Sequence, residues 1–259
     1  MNMKVVMIGA GNVATHLSIA LKKSGFTIIQ IFSKTEQSAS QLAKIVETSW
    51  TTNLQSLNKE GDIYIFALKD SILSETLNKI DIPNALFVHT AGSINISVFA
   101  SKSNPHGVIY PLQTFSKSKE IDFNQVPLFI EGNNEETTNL LLSIAGKLSN
   151  KCFEIDSEKR LKLHLSAVFA CNFANYMYTV ADKIVKETEL GFDILKPLIV
   201  ETADKIRILS PKDAQTGPAV RLDTDVMEKH SKLLVNEPQL LELYTLISQE
   251  IYKNEKAAI

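Results

Sequence analysis

The sequence predicts an α/β protein in which a doubly wound, largely parallel sheet is followed by an all-helical domain. Apolar runs typical of strands alternate with helical patterns over the first part of the chain. A glycine-rich turn joins the first strand to the first helix, and beyond Ile155 the strand pattern stops and helical periodicity continues. We therefore predict one domain over residues 1–155 and a second over 156–259.

Composition narrows the possible functions. The chain has 259 residues, a formal net charge of −2 and 44% hydrophobic residues, enough apolar material for two cores. Because basic and acidic residues are interspersed, no nucleic-acid or membrane partner is expected. Only two cysteines are present, and no signal-like segment, membrane span or metal-binding spacing is recognised. The sequence thus predicts a cytoplasmic protein without a bound metal.

The first strand ends in a motif that is typical of dinucleotide-binding sites. Residues 3–14 read MKVVMIGAGNVA, an apolar run followed by GxGxxA and the start of a helix. Gly9 would permit the tight turn, and Gly11 would let the backbone approach a pyrophosphate at the helix N-terminus. The predicted contacts are Gly9, Gly11, Asn12 and Val13. The alternative is an ordinary corner whose glycines serve packing alone.

The end of the second strand distinguishes between the two nicotinamide cofactors. An NAD site uses an acidic residue there to bind the ribose hydroxyls, but residues 27–35 contain none. Ser33 and Lys34 instead offer a hydroxyl and a cation that suit a 2′-phosphate, so NADP is predicted. In the alternative interpretation, Ser33 and Thr35 only cap the helix predicted over residues 36–46, and Lys34 is solvated.

Two later strands end in loops with candidate site residues. The further strands are predicted at 62–68, 86–89, 108–110, 128–130 and 152–155, with helices at 72–79 and 135–148. After His89, the small residues Ala91 and Gly92 would let nicotinamide or substrate approach. After the next strand, Gln113 and Thr114 are neutral hydrogen-bonding groups that would orient a substrate. The alternatives are simple packing at the first loop and a proline-stiffened loop at the second.

A long helix is predicted over residues 157–189, followed by helices at 193–209, 223–234 and 239–254. Counted at about 100° per residue, the polar residues of the long helix share one arc. They are Arg160, His164, Asn172, Asn175, Thr179 and Asp182. Because short polar side chains occupy the middle of this arc, we predict a narrow polar strip that faces a cleft. An ordinary amphipathic face is the alternative.

Motifs along nearly the whole chain resemble a known family. They are GxGNVA with Ser33 and Lys34, DIYIFALKD at 62–70, HTAGS at 89–93, YPLQTF at 110–115, residues 164–175, and TGP at 216–218 with Arg221, Asp223 and His230. Together they resemble Rossmann-like NADP oxidoreductases that carry a C-terminal helical domain of unknown function. These proteins belong to the superfamily of pyrroline-carboxylate reductase and the hydroxyacid and phosphogluconate dehydrogenases.

The resemblance implies further contacts and a homodimer built through the long helix. Further predicted cofactor contacts are Ala67, Leu68, Ala91 and Gly92, and further predicted substrate contacts are Ser93, Thr114 and Asn175. Arg221, in a Gly-Pro loop before a helix, is predicted to bind a carboxylate or phosphate with two parallel hydrogen bonds; the alternative is that it pairs with Asp223 or Asp225. Leu222 stands where the family pattern has a glycine. The hydroxyacid dehydrogenases place a catalytic lysine four residues before an asparagine, whereas Val168 and Cys171 occupy that spacing before Asn172 and Asn175.

The predicted function is hydride transfer between NADP(H) and a small carbonyl, imine or hydroxy compound bound between the two domains. His164, Asn172 and Gln113 are the predicted catalytic residues, and His89, His230 and Tyr110 are further candidate proton donors. The missing lysine favours an alternative, a non-catalytic NADP(H)-binding module such as a redox sensor or assembly partner. A deazaflavin hydride partner, known from other members of the superfamily, has no motif here.

Overall fold

The computed structural model describes residues 3–256 and divides into two compact units, Met1–Tyr176 and Met177–Ile259. The helical segment that begins at Ser157 runs past this division. The domain boundary predicted at residue 156 therefore stays a prediction, and each unit is described by itself.

The first unit contains an eight-stranded sheet, and its fold class is the predicted one. The strands are β1 (Lys4–Ile8), β2 (Thr27–Phe32), β3 (Ser49–Thr51), β4 (Ile63–Phe66), β5 (Leu86–His89), β6 (His106–Pro111), β7 (Leu128–Gly132) and β8 (Cys152–Glu154). Their order is β3-β2-β1-β4-β5-β6-β7-β8. The first six are parallel in the order of a doubly wound dinucleotide-binding sheet, which places their carboxyl ends along one edge.

Strand β7 departs from the parallel arrangement, because it runs antiparallel to β6 and pairs in parallel with β8. A parallel crossover needs a connection of a dozen or more residues, usually through a helix. Between β6 and β7 only a short 3₁₀ turn, Phe123–Gln125, interrupts the irregular chain. Without a crossover helix, β7 returns in the opposite direction.

Helices cover both faces of the sheet. On one face lie α1 (Asn12–Lys23), α2 (Glu36–Val46) and α4 (Glu135–Gly146), and on the other α3 (Asp70–Asn78). Helix α5 (Ser157–Ala167) follows β8. Alternate residues of β1 enter different cores: Val5 and Met7 belong to one cluster, Val6 and Ile8 to the other. This arrangement explains why the strand reads as a continuous apolar run rather than an alternating one.

The predicted long helix is present but is not a plain α-helix. After α5 the chain forms a π-helical segment, Val168–Phe173, continues as α6 (Ala174–Val185), and ends in a 3₁₀ turn, Lys186–Thr188. The Asp156 side chain caps it by accepting from the Lys159 N–H. A π-helical turn holds more residues than an α-turn, so an arc counted at a constant 100° does not persist across it. The cleft-facing position predicted for Arg160 is wrong, because Arg160 is buried.

The second unit is helical. After the end of α6 it contains a 3₁₀ turn, Phe192–Leu195, and the helices α7 (Lys196–Lys205), α8 (Thr224–Leu233) and α9 (Pro238–Lys256). The His230 Nδ1 atom lies 3.0 Å from the Tyr244 hydroxyl and joins α8 to α9. Within residues 3–256, no helix combines the length and apolarity that a membrane crossing requires, and no group of three or more metal-ligating side chains occurs.

Candidate cofactor and substrate site

The glycine turn after β1 lies between the ends of two neighbouring strands. The Gly9 N–H donates to the Phe32 carbonyl at 2.8 Å, and the Ala67 N–H donates to the Ile8 carbonyl at 2.8 Å. Gly9 has φ +123°, and a Cβ atom there would lie 2.1 Å from the Ala67 carbonyl oxygen. Only glycine fits this position, as the motif predicts.

The N-terminus of α1 fits an anionic ligand. Gly11 is the N-cap residue, it has no side chain to occupy the first amide groups, and the first turn carries no acidic residue. A Cβ atom at Gly11 would meet nothing within 4 Å, so the space above the amides is open. The side-chain amide of Asn12 donates to the Phe115 carbonyl at 2.8 Å, which fixes the loop after β6 beside the same helix end. Such a site suits a pyrophosphate.

A cavity of about 410 Å³ lies beyond the end of β2. Its lining residues are Phe32, Lys34, Thr52, Asn53, Leu54, Gln55 and Lys79. Lys34 is exposed, and Lys79 forms an exposed ion pair with Glu75 at 2.5 Å. Thr35 occupies the N-cap of α2 without a capping hydrogen bond from its side chain. Two lysines therefore line the cavity, which suits an anionic group, although Lys79 is also paired with Glu75. The capping alternative lacks its hydrogen bond at Thr35.

Sequence reasoning missed the second lysine of this cavity. Lys79 follows the end of α3, where a basic residue is explained by the helix dipole alone. Asn53 and Thr52 come from the segment after β3, a strand too short to be recognised. Ser33, by contrast, was predicted here, but it is not among the residues that line the cavity; its N–H donates to the Thr51 carbonyl.

His89 is fully buried at the carboxyl end of β5 and is held as a neutral imidazole. Its Nδ1 atom accepts from the Ala91 N–H at 3.1 Å, so the proton of the neutral ring resides on Nε2. The ring stacks on Phe99 with centroids 5.6 Å apart. Burial lowers the pKa of His89 to about 3, and the positive charge of Arg160 contributes to the decrease. His89 therefore has no imidazolium proton to donate near neutral pH.

The loop after His89 packs against a tyrosine and a histidine. The Tyr110 hydroxyl lies 3.0 Å from His164 Nδ1, and the two rings meet edge to face with centroids 5.9 Å apart. A Cβ atom on Gly92 would lie 2.8 Å from atoms of both side chains. Burial raises the pKa of Tyr110, and the charge of Arg160 offsets part of the increase. Gly92 is thus required for the contact with this pair.

A buried ion pair anchors the same loop from the other end. Arg160, 1% exposed, contacts the Glu131 carboxylate and donates to the Ile94 carbonyl at 2.5 Å. The Ser157 hydroxyl accepts from the Ile96 N–H at 3.0 Å and also donates to Glu131. Because Glu131 lies on β7 and Arg160 on α5, no local pattern in the sequence could indicate this pair.

The remaining predicted residues lie as follows. Ala67 and Leu68 are half-buried after β4, Val13 is half-buried in the first turn of α1, and Asn172 and Asn175 are exposed, within and just after the π-helical segment. Gln113 Oε1 accepts from the Thr114 N–H at 2.8 Å. The Ser93 hydroxyl donates to the Asp70 carboxylate.

Arg221 belongs to the second unit and is exposed in the loop that precedes α8. The next residue, Leu222, has φ +52°. This left-handed conformation is the one that the glycine of the family pattern would adopt without strain.

Comparison with known proteins agrees with this geometry. Residues 4–100 match the family model described as NADP oxidoreductase coenzyme F420-dependent, and residues 126–251 match a domain of unknown function, DUF2520. The structure resembles a protein from Bacteroides fragilis that has been provisionally assigned as an NADP oxidoreductase, with 46% identity, a TM-score of 0.93, and coverage of 97% of this chain and 98% of that one. No curated protein sequence matches the chain.

Two more distant structures share the fold. A pyrroline carboxylate reductase from Plasmodium falciparum with NADP bound has 14% identity and a TM-score of 0.58, over 97% of this chain and 98% of that one. An imine reductase from Myxococcus stipitatus in complex with NADP⁺ has 14% identity and a TM-score of 0.62, over 98% and 93%.

Proposed function

Because the chain belongs to the family of NADP oxidoreductases that carry the DUF2520 domain, we propose that it transfers a hydride between NADP(H) and a small carbonyl, imine or hydroxy compound. One observation carries the proposal. The open N-terminus of α1, the cavity with two lysines and the anchored loop after His89 all follow carboxyl ends of parallel strands in one sheet. Doubly wound folds bind their ligands at that edge.

The chain has suitable residues for each part of the cofactor, and the bound NADPH would supply the hydride. Backbone amides around Gly11, with Gly9, Asn12 and Val13, hold the pyrophosphate. Lys34 and Lys79 bind the 2′-phosphate, and Ser33 lies at the same strand end. On the nicotinamide side we assign Ala67, Leu68, Ala91 and Gly92, which follow β4 and β5.

For the substrate we assign residues with neutral hydrogen-bonding groups. Gln113, Asn172, Ser93, Thr114 and Asn175 orient it, and Arg221 pairs with an anionic group if the substrate carries one. Two of these lie at the π-helical segment, a distortion that is frequent at functional sites. The protonating group comes from the pair formed by His164 and Tyr110.

The first experiment is fluorescence titration with NADPH and NADH, with the variants Lys34→Ala and Lys79→Ala. Each variant should weaken NADPH binding about tenfold, or 1.4 kcal/mol, and leave NADH binding unchanged. Lys44→Ala, an exposed lysine in the last turn of α2, is the matched control and should change neither. Equal losses for both nucleotides would contradict the 2′-phosphate assignment.

NADPH consumption is then followed with keto acids, aldehydes and cyclic imines. Turnover of any of them supports the reductase and begins to identify its substrate. The second candidate, a non-catalytic NADP(H)-binding module, is favoured by Val168, which stands where hydroxyacid dehydrogenases have their lysine. Binding of NADPH without turnover of any compound would favour that module. Binding of neither nucleotide would overturn both.

We also propose that the protein is a cytoplasmic homodimer. Cys152 and Cys171 are free thiols, which suits a reducing compartment. The second unit exposes many large apolar side chains, and obligate homodimers cover such surfaces with a second copy. Light scattering after size exclusion should give twice the mass of 28.8 kDa, and a monomer at micromolar concentration would contradict the dimer.

A further inference from the structure

We propose that Tyr110 is the catalytic acid of this site, and that His164 is a positioning residue that holds the Tyr110 hydroxyl and returns a proton to it. The inference rests on the proposed oxidoreductase function. It assigns the proton step to a residue on the sheet rather than to the long helix, where sequence reasoning places it.

The geometry of the pair carries this inference. Tyr110 lies on β6, one residue before the strand ends, and is 8% exposed. Its hydroxyl and His164 Nδ1 are 3.0 Å apart, within hydrogen-bond distance. Gly92 covers the Cγ and Nδ1 side of the His164 ring. Since Nδ1 is occupied by Tyr110, the histidine can reach a substrate proton acceptor on this side only through the tyrosine.

The surrounding contacts hold the pair rigidly at the ligand-binding edge. Gly92 belongs to the loop after β5, the parallel neighbour of β6. That loop is fixed at its start by the hydrogen bond between Ala91 and His89 and further on by the Arg160 bond to the Ile94 carbonyl. A catalytic group needs this kind of support, because small displacements cost much of its effect.

Atoms and electrons balance in the proposed step without any further reactant. As the hydride and its two electrons reach the substrate carbon, the C=O or C=N π-electron pair moves onto oxygen or nitrogen. The O–H bond of Tyr110 breaks, and its proton forms the new O–H or N–H bond. The phenolate then takes the Nδ1 proton of a His164 imidazolium, and His164 recovers a proton from water. Arg160 on α5, which is paired with Glu131 on β7, is a charged group that acts on Tyr110.

Tyr110→Phe is the decisive variant. We expect kcat to fall by about 10² to 10⁴, the usual contribution of general acid catalysis, with the NADPH dissociation constant within about twofold of the wild type. Tyr64→Phe is the matched control, because Tyr64 is also a buried tyrosine with a hydrogen-bonded hydroxyl, but it lies within β4 and bonds to the Asn58 carbonyl. Its kcat should not change.

His164→Gln separates positioning from direct donation. We expect a loss of about tenfold in kcat and partial rescue by added imidazole. In the cofactor-free protein, the NMR resonances of the His164 ring should move in Tyr110→Phe, because the hydroxyl 3.0 Å from Nδ1 is lost, and stay in place in Tyr64→Phe. A purely structural role of His164 would not produce the rescue by imidazole.

The outcomes are distinguishable. Turnover retained by Tyr110→Phe, with turnover abolished by His164→Gln, overturns the assignment and makes His164 the direct donor. Unmoved His164 ring resonances in Tyr110→Phe overturn the coupling. Failure of the wild type to turn over any compound overturns the proposed function and this inference together, whereas the other two results leave the proposed function intact.

Discussion

The two compact units differ in how they keep apolar side chains from water. The first unit buries residues on both faces of its sheet in two clusters. Among the described residues of the second unit only Val185, Ala219 and Ser248 are buried. Its exposed large hydrophobic residues are Tyr178, Ile184, Leu190, Ile194, Leu198, Val200, Ile206, Ile208, Leu209, Leu222, Leu233, Val235, Leu246 and Ile247. The first unit therefore has a core of its own, whereas the second leaves most of its large apolar side chains at the surface.

The largest loss of stability is expected from breaking the ion pair inside the first unit. Arg160→Met leaves the Glu131 carboxylate without its cation and should cost about 3 to 5 kcal/mol in urea unfolding. Arg160→Met combined with Glu131→Leu should recover much of that loss, because no charge is then left buried. A cost below about 1 kcal/mol for the single variant would show that the pair is not buried in solution.

The two glycines of the first turn should respond differently. Gly9→Ala forces a Cβ atom against the Ala67 backbone at a positive φ and should cost about 3 kcal/mol or more. Gly11→Ala enters open space, so its stability should stay within about 1 kcal/mol of the wild type while NADPH binding weakens about tenfold or more. Calorimetry and NADPH titration test both. Unchanged NADPH affinity in Gly11→Ala would argue against the pyrophosphate site.

A charge placed on each unit tests the contrast between them directly. Leu198 in the second unit is 64% exposed, and Ile45 in the first is 54% exposed. If a second copy covers the second unit, Leu198→Glu should raise the dimer dissociation constant about 30-fold or more, because a carboxylate would be buried. Ile45→Glu should have no effect. Sedimentation equilibrium measures the dimer dissociation constants of both variants. Equal constants would show that the second unit is not the one covered by a second copy.

The smallest effect concerns acid stability of the first unit. The pKa of His89 is about 3 in the folded chain against an ordinary value of 6.5. Between these values the unfolded chain binds a proton that the folded chain does not, so lowering the pH favours unfolding. From pH 7 to pH 5.5 this histidine should cost about 1 kcal/mol. The variant His89→Asn keeps an acceptor for the Ala91 N–H but has no titrating ring. Its free energy of unfolding should therefore decrease less than that of the wild type between pH 7 and pH 5.5. An identical pH dependence in both proteins would contradict the burial of a neutral His89.

Features governed by neighbouring residues could be predicted from the sequence. Helix α2 has the predicted bounds, 36–46, and the glycine turn of β1 has the predicted backbone conformation. Both features depend on local chemistry. Helix α2 follows from an apolar pattern with helical spacing, and the turn follows from a glycine that lacks a side chain. The family resemblance is confirmed for the same reason, because motifs are local.

Features governed by residues far apart could not be predicted. The pairing of Glu131 with Arg160, the contribution of Lys79 to the cavity and the contact of Gly92 with Tyr110 and His164 depend on tertiary packing. Strand β3 has only three residues and no apolar pattern. The antiparallel direction of β7 follows from the lack of a crossover helix between β6 and β7. The π-helical segment has no established sequence signal, and it invalidates an arc counted at constant pitch.

The two outer strands of the sheet limit how this protein can associate. Strands β3 and β8 have three residues each, so either edge offers only about 10 Å of backbone to another chain. An edge this short is a poor template for strand addition, the usual route to open-ended aggregation. Backbone pairing at the sheet edges is therefore a poor way for further chains to add to this protein.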